Sequence, residues 1–187
     1  MHPRQPPIPR LWLMTDERMG DLPSALARLP RGAGVVFRHY GTPATERREL
    51  FGRVRAAARR RGLVLVLAGT AREAAAWRAD GVHARRTGRV ARPLLRTAPA
   101  HDARELVAAG RTGARVAFLS PVFATRSHPG ALALGPIRFG LVAQGARPTV
   151  IALGGMDAYR FRRIRPLGAT GWAAIDAWAA QAQVVRT

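Results

Sequence analysis

The stretch Thr149-Val-Ile-Ala-Leu-Gly-Gly155 is an apolar run without polar alternation, and it stops at a pair of glycines. A strand with one wet face alternates apolar and polar residues, whereas a strand covered on both faces, as in a parallel sheet, reads as an unbroken apolar run. Comparable runs recur at Leu11–Met14, Gly34–Phe37, Leu63–Leu67, Gly81–Val82, Pro93–Leu95, Val116–Leu119 and Trp172–Ile175, giving eight candidate strands.

Helical spacing fills the intervals. Thr45–Arg61 opens on Thr45 as an N-cap, carries Leu50, Val54 and Ala57/Ala58 on one face and ends at Gly62. Ala71–Ala79, Asp102–Thr112, Pro136–Gln144, Asp157–Arg165 and Ala177–Val184 follow the same pattern, and Leu22–Leu29 is shorter and interrupted by Pro23. The alternation predicts a compact (β/α)8 TIM barrel, with a doubly wound open sheet as the alternative. The link from Ala84 to Pro93 is too short and broken for a full helix, so the fourth helix is expected to be reduced or missing. Residues 1–9 read as an N-terminal tail and 10–187 as a single barrel domain.

Composition narrows the function. With 187 residues, 48% of them hydrophobic, the chain has enough apolar material for one full core. The formal charge of +20 would ordinarily raise nucleic acid or an anionic membrane as partner. Yet all 31 basic residues are Arg, and neither Lys nor Asn occurs; the residues with A-rich codons are missing, so GC-rich coding suffices to explain the excess. No recognition helix, metal finger or aromatic-interleaved RNA motif is present, and no specific nucleic-acid partner is expected. The absence of Cys and Lys excludes thiolate and Schiff-base chemistry. The N-terminus lacks a signal-peptide core and no apolar run reaches the roughly 20 residues of a membrane span, so the expectation is a cytoplasmic protein without membrane contact.

In such barrels the active site lies at the C-terminal ends of the strands. The residues that follow the candidate strands here are polar, basic and glycine-bearing, including Asp16, Arg38, His83, His101 and Gly154-Gly155, which suits an anionic ligand. Gly154 and Gly155 let backbone approach a phosphate closely, and Ile175 and Asp176 end the neighbouring eighth strand. The loop Ser120–Gly130 adds Thr125, Arg126, Ser127 and His128, fenced by Pro121, Pro129 and Gly130. Structural roles compete with each of these. A rigid rim turn explains the loop, His101 can brace the rim, and His83 can pack at a strand end. His39 points away if Arg38 points in, and Asp16 and Asp176 can pair with arginines. The tryptophans read as packing, with Trp172 or Trp178 left open as a contact to a partner subunit. Apolar faces on short helices leave a homodimer open without defining an interface.

Taken in order, Leu11-Trp-Leu-Met-Thr-Asp16, Arg38, Asp80-Gly-Val-His83, His101, Pro121-Val-Phe-Ala-Thr125 with Ser127 and Pro129-Gly130, Ile151-Ala-Leu-Gly-Gly155 and Gly168-Ala-Thr-Gly-Trp-Ala-Ala-Ile175 resemble the thiamine phosphate synthase/TenI superfamily over nearly the whole chain. The resemblance implies a barrel that binds thiazole phosphate and, in synthases, joins it to hydroxymethylpyrimidine pyrophosphate. Pyrophosphate leaves with Mg²⁺ assistance and the thiazole nitrogen attacks the pyrimidine cation, so the protein supplies mainly position and electrostatics.

Against the synthase pattern, Val36 stands for Gln, Tyr40 for Lys, Ala68-Gly69 for Asn-Asp, Pro99 for Ser and His128 for Lys, and the acidic loop after the fourth strand has become Ala84-Arg-Arg-Thr-Gly88. The two aspartates expected to hold Mg²⁺ are absent, and no other metal or cofactor is expected. Arg38, Thr125, Ser127, Gly154 and Gly155 keep their places. Arg85, Arg86 or Arg126 could take over the pyrophosphate charge. In TenI-type isomerases the resemblance implies a His at the position of Pro121, for which His128 is the nearby substitute. Three readings result. The first is a thiamine-phosphate-synthase-type transferase with Arg38, Thr125, Ser127 and His128 as catalytic groups and a degenerate metal site. The second is a binding protein for thiazole phosphate or another phosphate ester, or a TenI-like isomerase; the third is a basic nucleic-acid-binding protein.

Overall fold

The structure is a computed structural model that describes residues 7–86, 93–125, 130 and 132–175. Eight parallel strands close in sequence order: β1 Leu11–Met14, β2 Gly34–Phe37, β3 Val64–Ala68, β4 Gly81–His83, β5 Leu95–Ala100, β6 Val116–Leu119, β7 Thr149–Leu153 and β8 Gly171–Ala174, with β8 pairing back to β1. The helices are α1 Leu22–Arg28, α2 Ala44–Arg61, α3 Ala71–Ala76, α4 Ala103–Arg111, α5 Gly135–Ala143 and α6 Ala158–Ile164. Most of the β4–β5 connection, where the fourth helix is expected to be reduced or missing, lies outside the described residues.

Period-two alternation divides each strand between two layers. Trp12, Met14, Val36, Val66, Phe118 and Ile151 fill the barrel interior, while the intervening residues pack outward against the helices. The interior is closed by size complementarity. Trp12 donates its indole N–H to the Pro9 carbonyl at 2.7 Å and meets Phe118 edge-on, with ring centroids 5.2 Å apart. A Cβ on Gly34, its β2 neighbour, would fall 2.2 Å from the Trp12 ring, so only glycine fits beside it.

Several boundaries differ from the sequence reading. Helix α2 starts at Ala44 behind Pro43, without a side-chain cap, and Thr45 lies in its first turn; proline's fixed φ already suits a helix entrance. Pro23 sits in the first turn of α1, where its missing N–H costs nothing, and Asp21 caps that helix through the Ser24 N–H. Strand β5 runs Leu95–Ala100, beyond the apolar run Pro93–Leu95, so Thr97 is an interior strand residue. Polar Thr97, and Pro99 without an N–H, interrupt the apolar pattern that marks the other strands. Trp172 is buried in the outer core of the β5–β8 half and is no surface for a partner subunit. The candidate helix Ala177–Val184 and Trp178 lie outside the described residues.

Candidate functional site

At the barrel mouth the inward parity of the strands continues for one more residue. On the β1–β5 side it brings together Asp16, Arg38, His83 and Thr97. Arg38 donates from Nε to the Thr15 carbonyl (2.8 Å) and from Nη2 to Asp16 Oδ2 (3.1 Å). Arg18 grips the same carboxylate with two nitrogens, at 2.7 and 2.9 Å. The Arg18 hydrogen bonds, with Arg38's charge added, hold the Asp16 carboxyl down at about 2 against the opposing effect of desolvation. Burial lowers the Arg38 guanidinium, and Asp16 opposes that shift.

Beside this pair, Thr15 Oγ accepts the Arg38 backbone N–H at 3.0 Å and lies 2.9 Å from His39 Nδ1. His39, its pKa lowered by burial, is stacked on Phe37 with centroids 4.6 Å apart and turned away from the mouth, as expected once Arg38 points in. Arg47 caps the Arg38 and Ala68 carbonyls (2.9 and 2.7 Å) and lies over the rings of Phe37 and Trp77. Deeper in the barrel, His83 Nδ1 and Thr97 Oγ are 2.9 Å apart, and the imidazole meets Phe118 edge-on. Burial, reinforced by the Arg38 charge, lowers the His83 pKa to about 4, so the ring is neutral near pH 7.

The β6–β8 side is built differently. The loops after β6 and β7 are joined backbone to backbone by Val122 N–H to Leu153 O (2.9 Å) and Phe123 N–H to Gly154 O (3.1 Å). Gly154 and Gly155 have φ of +92° and +60°, and a Cβ on them would fall 2.8 Å from Pro121 Cα and 2.5 Å from the Ala124 carbonyl. The glycine pair is thus required by loop packing as well as by any ligand. Arg160, whose guanidinium lies 5.0 Å from the Phe123 ring centre, donates to the Gly155 carbonyl. Ile175, half-buried, packs against the barrel-interior cluster at the end of β8.

His101 is a brace: its Nδ1–H donates to the Ser120 carbonyl at 2.7 Å, and its backbone N–H reaches Glu105. Arg85 is paired with the same Glu105. Thr125 is half-buried at the end of the described loop. Arg126, Ser127, His128 and Asp176 lie outside the described residues. The His83–Thr97 pair and the Arg47 clamp were missed in the sequence. Projecting the period-two parity of β2, β4 and β5 toward the mouth would have found the first.

The family's Mg²⁺ does not fit the residues present. Gly69 stands at the expected carboxylate position after β3, neither it, Ala68 nor Ala84 offers a side-chain oxygen, and Asp16, the inward carboxylate, is already held by two arginines. Among the described residues no cluster of three His, Asp or Glu could hold a metal ion. No described helix is long and apolar enough to cross a membrane.

Comparison with known proteins agrees with this architecture. Thiamine phosphate pyrophosphorylase from Pyrococcus furiosus superposes with a TM-score of 0.72 at 22% identity, covering 89% of this chain and 85% of that one. The corresponding protein from Bacteroides thetaiotaomicron gives 0.61 at 17% identity, over 90% and 83%. A glycerol uptake operon antiterminator regulatory protein from Listeria monocytogenes gives 0.59 at 12% identity, over 88% and 91%, so fold similarity alone spans unlike proteins. No curated protein matches the sequence. The model of one family matches residues 11–178, nearly the whole barrel, and on that match the chain belongs to the thiamine monophosphate synthase (TMP-TENI) family.

Proposed function

We propose that this family member holds a small phosphate monoester of the thiazole phosphate class at the β6–β8 side of its mouth, and that it has lost the metal-assisted transfer that releases pyrophosphate. The observation that carries the reading is the division of the mouth. On the β6–β8 side, the carbonyls of Leu153, Gly154 and Gly155 all accept hydrogen bonds from Val122, Phe123 and Arg160. Carbonyl dipoles satisfied in this way offer less repulsion to an anion that approaches the Gly-Gly backbone. Across the mouth, Asp16 offsets Arg38, Glu105 engages Arg85, and neutral His83 offers an imidazole without added charge. That side suits the uncharged end of a ligand better than a second cluster of phosphates.

Calorimetric titration with hydroxyethylthiazole phosphate, and with inorganic phosphate for comparison, tests this directly. Binding of the ester that is unchanged by EDTA, with no thiochrome-detectable thiamine phosphate formed when the pyrimidine pyrophosphate is added, is the expected result. Turnover above a boiled control would restore the transferase reading, and its persistence in EDTA would assign the leaving-group charge to arginines. Absence of binding at millimolar ester would remove both.

A further inference from the structure

The described acids are sorted along the barrel axis, while arginines lie at both ends. Every strand runs the same way, so strand starts and helix ends share the face opposite the mouth. Arg28, the run Arg59–Arg61, Arg111 and the pair Arg162–Arg163 occupy last turns of helices on that face. Arg10, Arg31, Arg96, Arg115 and Arg147 lie at or just before strand starts on the same face. The acids gather at the mouth, where Arg18, Arg38, Arg47, Arg72, Arg104 and Arg138 accompany them, and are nearly absent from the opposite face. Asp16, Glu17, Asp21, Glu46, Glu73, Glu105 and Asp157 sit in mouth-side loops and helix starts, and the described acid on the arginine face is Asp80, which accepts the Leu65 N–H.

GC-rich coding explains how many arginines there are but not where they lie. The helix macrodipole favours cations in last turns, which accounts for the first group and leaves the arginines at strand starts unexplained. Most of these side chains are exposed, and Arg162, Arg165 and Pro166 line a shallow groove of about 460 Å³ on the same end.

From this we infer that the face opposite the mouth is a docking surface for the phosphodiester backbone of nucleic acid, bound without sequence preference. Guanidinium forks match phosphate oxygens in pairs, and a surface that neutralises several phosphates at once gains affinity from counterion release. A bilayer is the poorer fit, because membrane-surface elements insert large apolar side chains between lipids. Here the described exposed apolar side chains near this end are confined to Leu141 and Leu167. The absence of a recognition helix fits backbone binding and not base reading.

The test is fluorescence polarisation of a labelled 20-base-pair DNA duplex with the full chain between 50 and 200 mM NaCl, alongside sedimentation with phosphatidylserine vesicles. One triple variant, Arg59→Gln, Arg60→Gln and Arg163→Gln, removes three exposed charges from the arginine face. A control, Arg48→Gln, Arg53→Gln and Arg104→Gln, removes three exposed charges from elsewhere. The first should weaken duplex binding about tenfold or more and reduce the slope of log affinity against log salt by about 2 to 3, with Arg→Lys at the same positions restoring most of both. The control should stay within about twofold of wild type. Equal losses in the two triples, no duplex binding at 50 mM NaCl, or binding to vesicles in preference to duplex would each overturn the assignment.

Discussion

His83 shows how one side chain is set by its surroundings. Its neighbours are Thr97, Phe118 and the Arg38 charge, and burial keeps it neutral, with its pKa at about 4 in the folded state. An unfolded His titrates near about 6.5. With the folded value lower, the unfolded chain binds the extra proton first, so stability is full above about pH 6.5 and declines as pH falls toward 4. His39, lowered by burial, adds to the same window. His83→Gln should flatten the dependence of the urea midpoint between pH 6.5 and 4, leaving the His39 part. Asp16 acts in a separate window: its folded value is the lower one, so its contribution is present above its ordinary 3.8 and is lost as pH drops toward 2. Thr97→Val would leave a buried imidazole nitrogen without its partner, with an expected cost of about 1–3 kcal/mol in urea unfolding.

At the scale of elements, glycines separate by what surrounds them. Gly34 faces the Trp12 ring in the barrel interior, so Gly34→Ala forces the indole or the β1–β2 register to move, with an expected loss of about 1–3 kcal/mol. Gly154 combines a positive φ with contact to Pro121, and Gly154→Ala should cost about 1–3 kcal/mol while weakening phosphate-ester binding. Gly52, in the middle of α2 with open space around its Cα, is the opposite case. There Gly52→Ala should raise stability by about 0.5–1 kcal/mol, read in the same urea experiment.

The whole molecule carries a formal +20 with its described acids gathered on the mouth side, so like charges on the opposite end repel in the folded state. Salt shortens the screening length from about 10 Å at 0.1 M to about 3 Å at 1 M. The melting temperature should therefore rise as NaCl goes from 0.1 to 1 M, and a fall would show that the mouth-side pairs outweigh the repulsion.

By itself the sequence determined the order of elements and most strand positions. Leu11–Met14, Gly34–Phe37, Val116–Leu119 and Thr149–Leu153 match to the residue, because a strand buried on both faces must be apolar throughout. It also marked the mouth, because strand ends in a parallel barrel share one face. Strand β5 was less legible, since its inward Thr97 is paid for by a partner, His83, that is distant in sequence. Only the tertiary structure could decide that pairing, the hold of Arg18 and Arg38 on Asp16, and the sterically required glycines at the meeting of the β6 and β7 loops. The gathering of the described acids at the mouth was equally hidden: it follows from the closed parallel topology, which brings chain segments far apart in sequence to the same end of the barrel.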